Sequence, residues 1–136
     1  MHKKAKFVAD RYYWIIIKNK NYEILRNDPN WSAFADIPNV DADAVNAKNG
    51  FISLGANICD ITTVENASFE DLKNIFGGIQ RNVIQNWAGG NQKSLIFVYY
   101  AGHGVMDNTV YAVCNGGIRP SKYVYALQSR LNSLAK

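Results

Sequence analysis

Two short apolar runs constrain this chain more than anything else in it. Tyr12-Tyr13-Trp14-Ile15-Ile16-Ile17 and Leu95-Ile96-Phe97-Val98-Tyr99-Tyr100-Ala101 are aromatic and β-branched, with no polar position inside them. A strand with one wet face alternates; these do not, so each is expected to be a strand buried on both faces. The second run is the most apolar segment and is expected to be the central strand. Between the runs, Ala44, Ala47, Phe51 and Leu54 follow Val40 at steps of three and four, which marks one face of a helix, and Gly55 supplies a stop. Ile58 to Val64 reads as a second strand. Ser68 with Asp71 forms a capping box, and Phe69, Leu72, Ile75, Ile79, Val83 and Trp87 keep helical spacing as far as Gly89-Gly90. Gly77-Gly78 falls inside that helix, where each glycine costs about 1 kcal/mol relative to alanine.

Beyond the second run the chain breaks at Gly102-His103-Gly104, forms another short strand from Val110 to Cys114, and turns at Asn115-Gly116-Gly117. Pro120-Ser121 is expected to open a last helix with Val124, Leu127, Leu131 and Leu134 on one face. Tyr22 to Asn39 holds turn formers and no sustained period, so it reads as a long loop, and long loops in compact domains are often functional. Strand, helix, strand, helix, strand is the order that builds an α/β fold, a mainly parallel sheet with helices on both faces. In such sheets ligands collect at the carboxyl ends of the strands. His103 stands at one of those ends.

Composition bounds the rest. With 136 residues, 48% hydrophobic and 19% charged, the chain has the size and apolar content of one folded domain. Residues 1–11 form a basic N-terminal tail, clustered at His2-Lys3-Lys4-Ala5-Lys6, and 12–136 the domain. The net charge of +4 comes from scattered bases that form no stripe, so nucleic acid is not an expected partner. Neither apolar run approaches the roughly 20 residues of a membrane span, and Asp10 and Arg11 spoil a signal-peptide core. The expectation is a cytoplasmic protein with no membrane partner. Cys59 and Cys114 show no CxxC spacing, and Asp41, Asp43 and Asp107 do not space as a calcium loop, so no metal and no cofactor are expected.

No GxxxxGK[ST] or GxGxxG occurs, and Gly89-Gly90-Asn91-Gln92-Lys93-Ser94 precedes a strand, where glycines cap a helix more readily than they cradle phosphate. His103 can be read two ways. Flanked by glycines it is compatible with an ordinary turn histidine. At the end of a buried strand it is equally placed to be a general base, held rigidly and open to a substrate.

The segment Leu95 to Gly104, with its Tyr-Tyr-Ala-Gly-His-Gly core, resembles the histidine motif of the caspase, metacaspase and paracaspase proteases, the paracaspases most closely. Ile17-Lys18-Asn19-Lys20-Asn21-Tyr22 resembles the first-strand exit of that superfamily, with Lys18 where glycine is usual. Pro38-Asn39-Val40-Asp41-Ala42-Asp43-Ala44 is similar to the start of its first helix, and Val110-Tyr111-Ala112-Val113 to its post-histidine strand. The resemblance runs in order over about residues 12 to 135. It implies a caspase-like three-layer sandwich, His103 as the base of a cysteine-histidine dyad, and Gly104 as the N–H donor to the oxyanion. It also implies that Asp41, and less strongly Asp43, line a pocket for a substrate arginine or lysine. Two acidic residues in a first helical turn also simply complement the helix dipole. True caspases carry an arginine just upstream to hold aspartate, and Asp36-Ile37-Pro38 has none.

The nucleophile is the gap in this reading. Caspase-type cysteines follow the histidine by about 50 residues, whereas the chain ends 33 residues after His103. Cys114 lies 11 residues beyond the histidine in an apolar strand, the setting of a packing thiol, and Cys59 precedes it on another strand. The strand carrying the nucleophile is expected to follow the last helix, so the sandwich is expected to lack its C-terminal strands and the chain alone to lack peptidase activity. Three functions stay open: the histidine-bearing part of a cysteine endopeptidase acting on peptide or protein substrates, a pseudoenzyme or interaction module, and an unrelated α/β ligand-binding domain. An edge left bare by missing strands would recruit another, so a homodimer is compatible with each.

Overall fold

A computed structural model of the chain describes residues 9–88, 93–107, 109–115 and 122–135. Most of the basic tail, the Gly89-Gly90 stop and Pro120-Ser121 lie outside these residues. Three strands, β1 (Arg11–Lys18), β2 (Ile61–Glu65) and β3 (Ser94–Ala101), form a parallel sheet in the order β2-β1-β3. The first crossover carries α2 (Val40–Ser53) and the second α3 (Phe69–Ala88). The chain moves from β1 outward to β2 and then back across β1 to β3. Crossovers of the usual right hand that step in opposite directions put their helices on opposite faces, and α2 and α3 pack against opposite faces of β1.

The two-faced burial expected of β1 is resolved by its period of two. Trp14 and Ile16 point to one side and pack with Ala44, Phe51 and Ala56 of the α2 layer. Ile15 and Ile17 point to the other and pack with Leu72, Phe76 and Ile79 of α3, and with Leu127 of α4 (Leu127–Leu134). Burial of each isoleucine contributes about 1.5–3 kcal/mol, which makes this one strand the spine of both cores. Gly77-Gly78 does not interrupt α3, since the nearest atom to a side chain added at either is the flexible end of Arg81 at 3.6–3.8 Å. The capping box forms, with Asp71 N–H donating to Ser68 Oγ at 3.1 Å and Ser68 N–H to the Asp71 carboxylate at 2.9 Å.

Four expectations are corrected. The second apolar run is not central: β1 is, and β3 lies at the edge of the described sheet, half-buried along its length. Its apolarity serves the layers above and below it. The second strand starts at Ile61, and Ile58–Asp60 is a single 3-10 turn, so Cys59 is not on a strand. The loop from Tyr22 contains the short helix α1 (Glu23–Arg26), whose Leu25 is fully buried beside Tyr22 and Val113. The last helix begins at Leu127, because Val124-Tyr125 pairs instead as β6.

That pairing belongs to a separate antiparallel sheet, β4 (Gly104–Asp107), β5 (Thr109–Val113) and β6 (Val124–Tyr125), in the order β4-β5-β6. The strand expected from Val110 to Cys114 is its middle member. Val and Tyr favour a ladder, and Cys114 N–H donates to Tyr123 C=O at 2.7 Å to extend it. Among the described residues no helix is long and apolar enough to cross a membrane.

Tyr13 Oη is buried with no hydrogen-bond partner among the described residues. Burying an unmade hydroxyl costs about 1–3 kcal/mol. Tyr13→Phe is therefore expected to leave the melting temperature unchanged or raise it, and a loss of stability in a thermal melt would contradict that placement.

Candidate active site

The carboxyl ends of β1 and β3 meet because their registers match to the last residue, Lys18 opposite Ala101. One bond prolongs the ladder, from Asn19 N–H to Ala101 C=O at 2.8 Å. The chain then leaves β1 toward α2 and leaves β3 for β4, so the two connections part at the carboxyl end of the sheet, the end where ligands collect in such folds. Asn19 has no exposed surface. Its Oδ1 accepts from Ala67 N–H at 2.7 Å and its Nδ2 donates to Val113 C=O at 3.1 Å. The end of β1, the entry to α3 and the end of β5 are thereby tied to a single side chain.

His103 follows two residues after the end of β3 and is held chiefly by its main chain. Its N–H donates to Tyr22 Oη at 2.8 Å, and its C=O accepts from Tyr100 Oη at 2.6 Å and from Val113 N–H at 3.0 Å. The imidazole stands edge-on to Tyr22 and to Phe34, with ring centroids 4.7 and 5.1 Å away. Its Nε2 lies 2.7 Å from Ala35 C=O. A carbonyl oxygen only accepts, so Nε2 carries the proton, and the neutral ring keeps its lone pair on Nδ1. The ring is partly exposed. The tautomer is thereby set by a main-chain carbonyl behind the ring.

The two flanking glycines serve different ends. A Cβ at Gly102 would come 2.5 Å from Tyr100 Oη and 2.7 Å from Tyr22 Oη, so this glycine makes room for the two hydroxyls. A Cβ at Gly104 would meet nothing nearer than Tyr111 C=O at 3.6 Å. Gly104 pairs with Ala112, and the bond from Val113 N–H to His103 C=O makes that a non-hydrogen-bonded pair. In such a pair the N–H groups point away from the partner strand. Gly104 is exposed at the edge of its sheet, so its N–H faces outward from β5.

Asp41 reaches the carboxyl end of β1 but is already engaged. Its carboxylate takes Lys20 Nζ at 2.9 Å and Lys18 Nζ at 3.1 Å, and Lys18 also holds Glu65 at 2.6 Å. The hydrogen bonds from Lys20 and then Lys18 hold the Asp41 carboxyl below the usual carboxylate range. Asp43 is exposed in the first turn of α2 and makes no ion pair among the described residues. The two acids expected to act together are thus separated in role. Lys18, the residue standing where the resemblance expects glycine, supplies much of the difference.

Sequence reasoning did not find Ala35, Asp36 or the part played by the tyrosines. Ala35 contributes only a carbonyl, which leaves no side-chain signal to read. Asp36 accepts Tyr22 N–H at 2.8 Å and Arg26 Nη1 at 2.7 Å, and so pins the loop beside Ala35. The Arg26 hydrogen bond, then the Tyr22 amide, lower the Asp36 pKa. Tyr100 and Tyr22 are both buried far enough to push their phenols up, so each hydroxyl stays protonated at any physiological pH.

Neither cysteine is available as a nucleophile to His103. Cys114 is fully buried, and burial, with a smaller contribution from Asp71, pushes its thiol up to about 12. Cys59 is exposed but lies before β2, at the amino end of the sheet. The five residues of β2 alone put about 16 Å between it and the carboxyl ends.

Two predictions follow from this geometry. Gly102→Ala is expected to destabilise the fold by about 1–3 kcal/mol through overpacking, while Gly104→Ala stays close to the parent, as read by urea denaturation. Equal effects would contradict the difference in their surroundings. With a thiol reagent at neutral pH, Cys59 is expected to react in the native chain and Cys114 only after denaturation, so that a folded sample titrates one thiol and an unfolded one two. Rapid labelling of both in the folded chain would refute the burial of Cys114.

Among the described residues no group of three His, Cys, Asp or Glu side chains is arranged to hold a metal ion. The chain matches no model of a known protein family and no curated protein sequence.

Proposed function

We propose that this chain is the histidine-bearing part of a caspase-like cysteine endopeptidase, with His103 as general base and Gly104 as oxyanion donor. The observation that supports this reading is that His103 Nε2 is bonded to Ala35 C=O at 2.7 Å, so that the neutral ring keeps the lone pair of Nδ1 for a proton, with no partner for it among the described residues. In the proposed reaction Nδ1 removes the thiol proton of a cysteine, and the thiolate attacks the carbonyl carbon of the scissile peptide bond. The oxyanion of the tetrahedral intermediate accepts from Gly104 N–H, a donor already aimed away from its own sheet. Collapse breaks the C–N bond, the imidazolium returns its proton to the leaving amine, and water hydrolyses the thioester. The cysteine belongs to a further strand beyond α4, laid along the outer side of β3, where no described strand pairs. A second copy of the chain would use the same side in a homodimer. Two unpaired thiols suit a reducing, cytoplasmic setting.

Asp41 remains the group proposed to read a basic substrate side chain, with Asp43 the weaker candidate. An incoming guanidinium would replace Lys20, whose pairing with Asp41 is solvent-exposed and so weak, and a bidentate fork exceeds what an ammonium offers. Arginine is therefore favoured over lysine. One observation favours a second reading, a catalytically inactive relative kept for interaction: Cys114 is fully buried and Cys59 lies at the amino end of the sheet.

Translating the reading frame past Lys136 decides between the two. The peptidase reading expects a strand ending in Asp-x-Cys within about 20 residues, following the histidine-to-cysteine spacing. The protein carrying it is expected to cleave arginyl peptides in preference to aspartyl ones, and His103→Ala to lower kcat by about 10³-fold or more, while residues 1–136 alone cleave neither. A frame with no such cysteine, or a His103→Ala protein of full activity, would overturn it. Preference for aspartyl substrates would overturn the role of Asp41.

A further inference from the structure

The hydrogen bond that sets the His103 ring has two ends, and one residue holds both. At the histidine end, Tyr22 Oη accepts His103 N–H at 2.8 Å. At the loop end, Tyr22 N–H donates to the Asp36 carboxylate at 2.8 Å, one residue from the Ala35 carbonyl that Nε2 meets. The Tyr22 ring also closes edge-on against the imidazole at 4.7 Å and packs with Phe34 at 6.4 Å, so it fills the space between the two ends. Tyr22 itself cannot drift. It has no exposed surface, and it sits in a cluster with Leu25 and Val113.

We propose that Tyr22 is a positioning residue for His103: through its hydroxyl, its ring and its main-chain N–H it keeps Ala35 C=O and the imidazole in register and so holds the ring in the Nε2–H tautomer. Tyr100 completes the frame. Its hydroxyl donates to His103 C=O at 2.6 Å and lies 3.5 Å from Tyr22 Oη, so the His103 peptide is bracketed on its N–H and C=O sides by two phenols. Phenols serve this role better than shorter hydroxyls because their planar stems are rigid and already buried. The catalytic consequence rests on the peptidase reading; the tautomer itself does not. A ring free to flip would present Nδ1–H as often as its lone pair, and the base would be ready in only a fraction of molecules.

The tautomer is directly measurable. In the ¹⁵N-labelled chain at pH 8, long-range proton–nitrogen correlation separates a pyrrole-like from a pyridine-like imidazole nitrogen, and His103→Gln identifies the His103 signals against His2, the other histidine. Wild type is expected to show pyrrole-like Nε2 and pyridine-like Nδ1. Tyr22→Phe is expected to shift the tautomer ratio about fivefold toward an even mixture, the size of one lost hydrogen bond. Tyr13→Phe, which removes a buried hydroxyl without a partner, is expected to shift nothing. A wild-type ring already in mixed tautomers, or a Tyr22→Phe ring with the wild-type ratio, would overturn the proposal. Should Tyr22→Phe not fold, Arg26→Gln loosens Asp36 from the solvent side and is expected to shift the ratio in the same direction; an unchanged ratio there is equally fatal. In a protein with peptidase activity, Tyr22→Phe is expected to lower kcat about fivefold and leave KM near the parent value. A shifted tautomer in a protein whose hydrolysis survives His103→Ala would refute the peptidase reading and leave the positioning role intact.

Discussion

A side-chain amide sealed from solvent must find partners for its oxygen and its N–H groups or cost the fold about 1–3 kcal/mol for each that goes unmet. Asn19 meets this requirement with the main chains of Ala67 and Val113. With its own strand exit, those partners join three separate stretches of chain, so the amide acts as a joint where the parallel sheet, the entry to α3 and the antiparallel sheet converge. Much else depends on it. Val113 C=O is shared by Asn19 Nδ2 and Tyr100 Oη, and Val113 N–H reaches His103 C=O. The position of His103 is therefore a consequence of where β5 ends, and β5 ends where Asn19 can reach it.

Around that joint the chain uses charge and apolar burial on different sides. His103 is backed by rings and protonated phenols, a low-dielectric packing that favours fixed hydrogen bonds. The nearby exit of β1 carries Lys18, Lys20, Asp41 and Glu65, whose charges cancel in pairs. An exposed pair of this kind contributes little to stability and yields easily to a competing ion. The interior is thus built to stay put, while the surface charges beside it exchange partners readily.

The small antiparallel sheet explains how a strand end becomes a site. Gly102 admits the two tyrosine hydroxyls where a side chain would collide, and the chain passes from β3 into β4 within three residues. His103 there meets Ala35 C=O through Nε2, and Gly104 N–H lies on the outer side of β4. Neither outcome needs an unusual backbone at His103. The one non-glycine residue with positive φ among those described is Asn66, at +49°, whose Oδ1 takes the N–H groups of Lys20 and Asn21 and anchors the strand exit beside it.

The apolar run of β1, the helical period from Val40, the capping box at Ser68 and the glycine-bounded histidine were all legible in the sequence, because each rests on contacts between residues close in the chain or on a repeat that one element must obey. The placement of His103 at a carboxyl strand end was legible for the same reason. What the sequence could not decide was which of two apolar runs lies in the middle, since both satisfy the same burial requirement and only the crossover directions choose between them. Nor could it separate Val124-Tyr125 from the helix that follows, because the gain of a ladder depends on a partner strand some ten residues away. The partners of Asp41 and the carbonyl of Ala35 were hidden for a deeper reason. A charge is recognised in sequence but its neutralisation is not, and a main-chain carbonyl is present at every residue, so only the folded chain determines which one meets the imidazole.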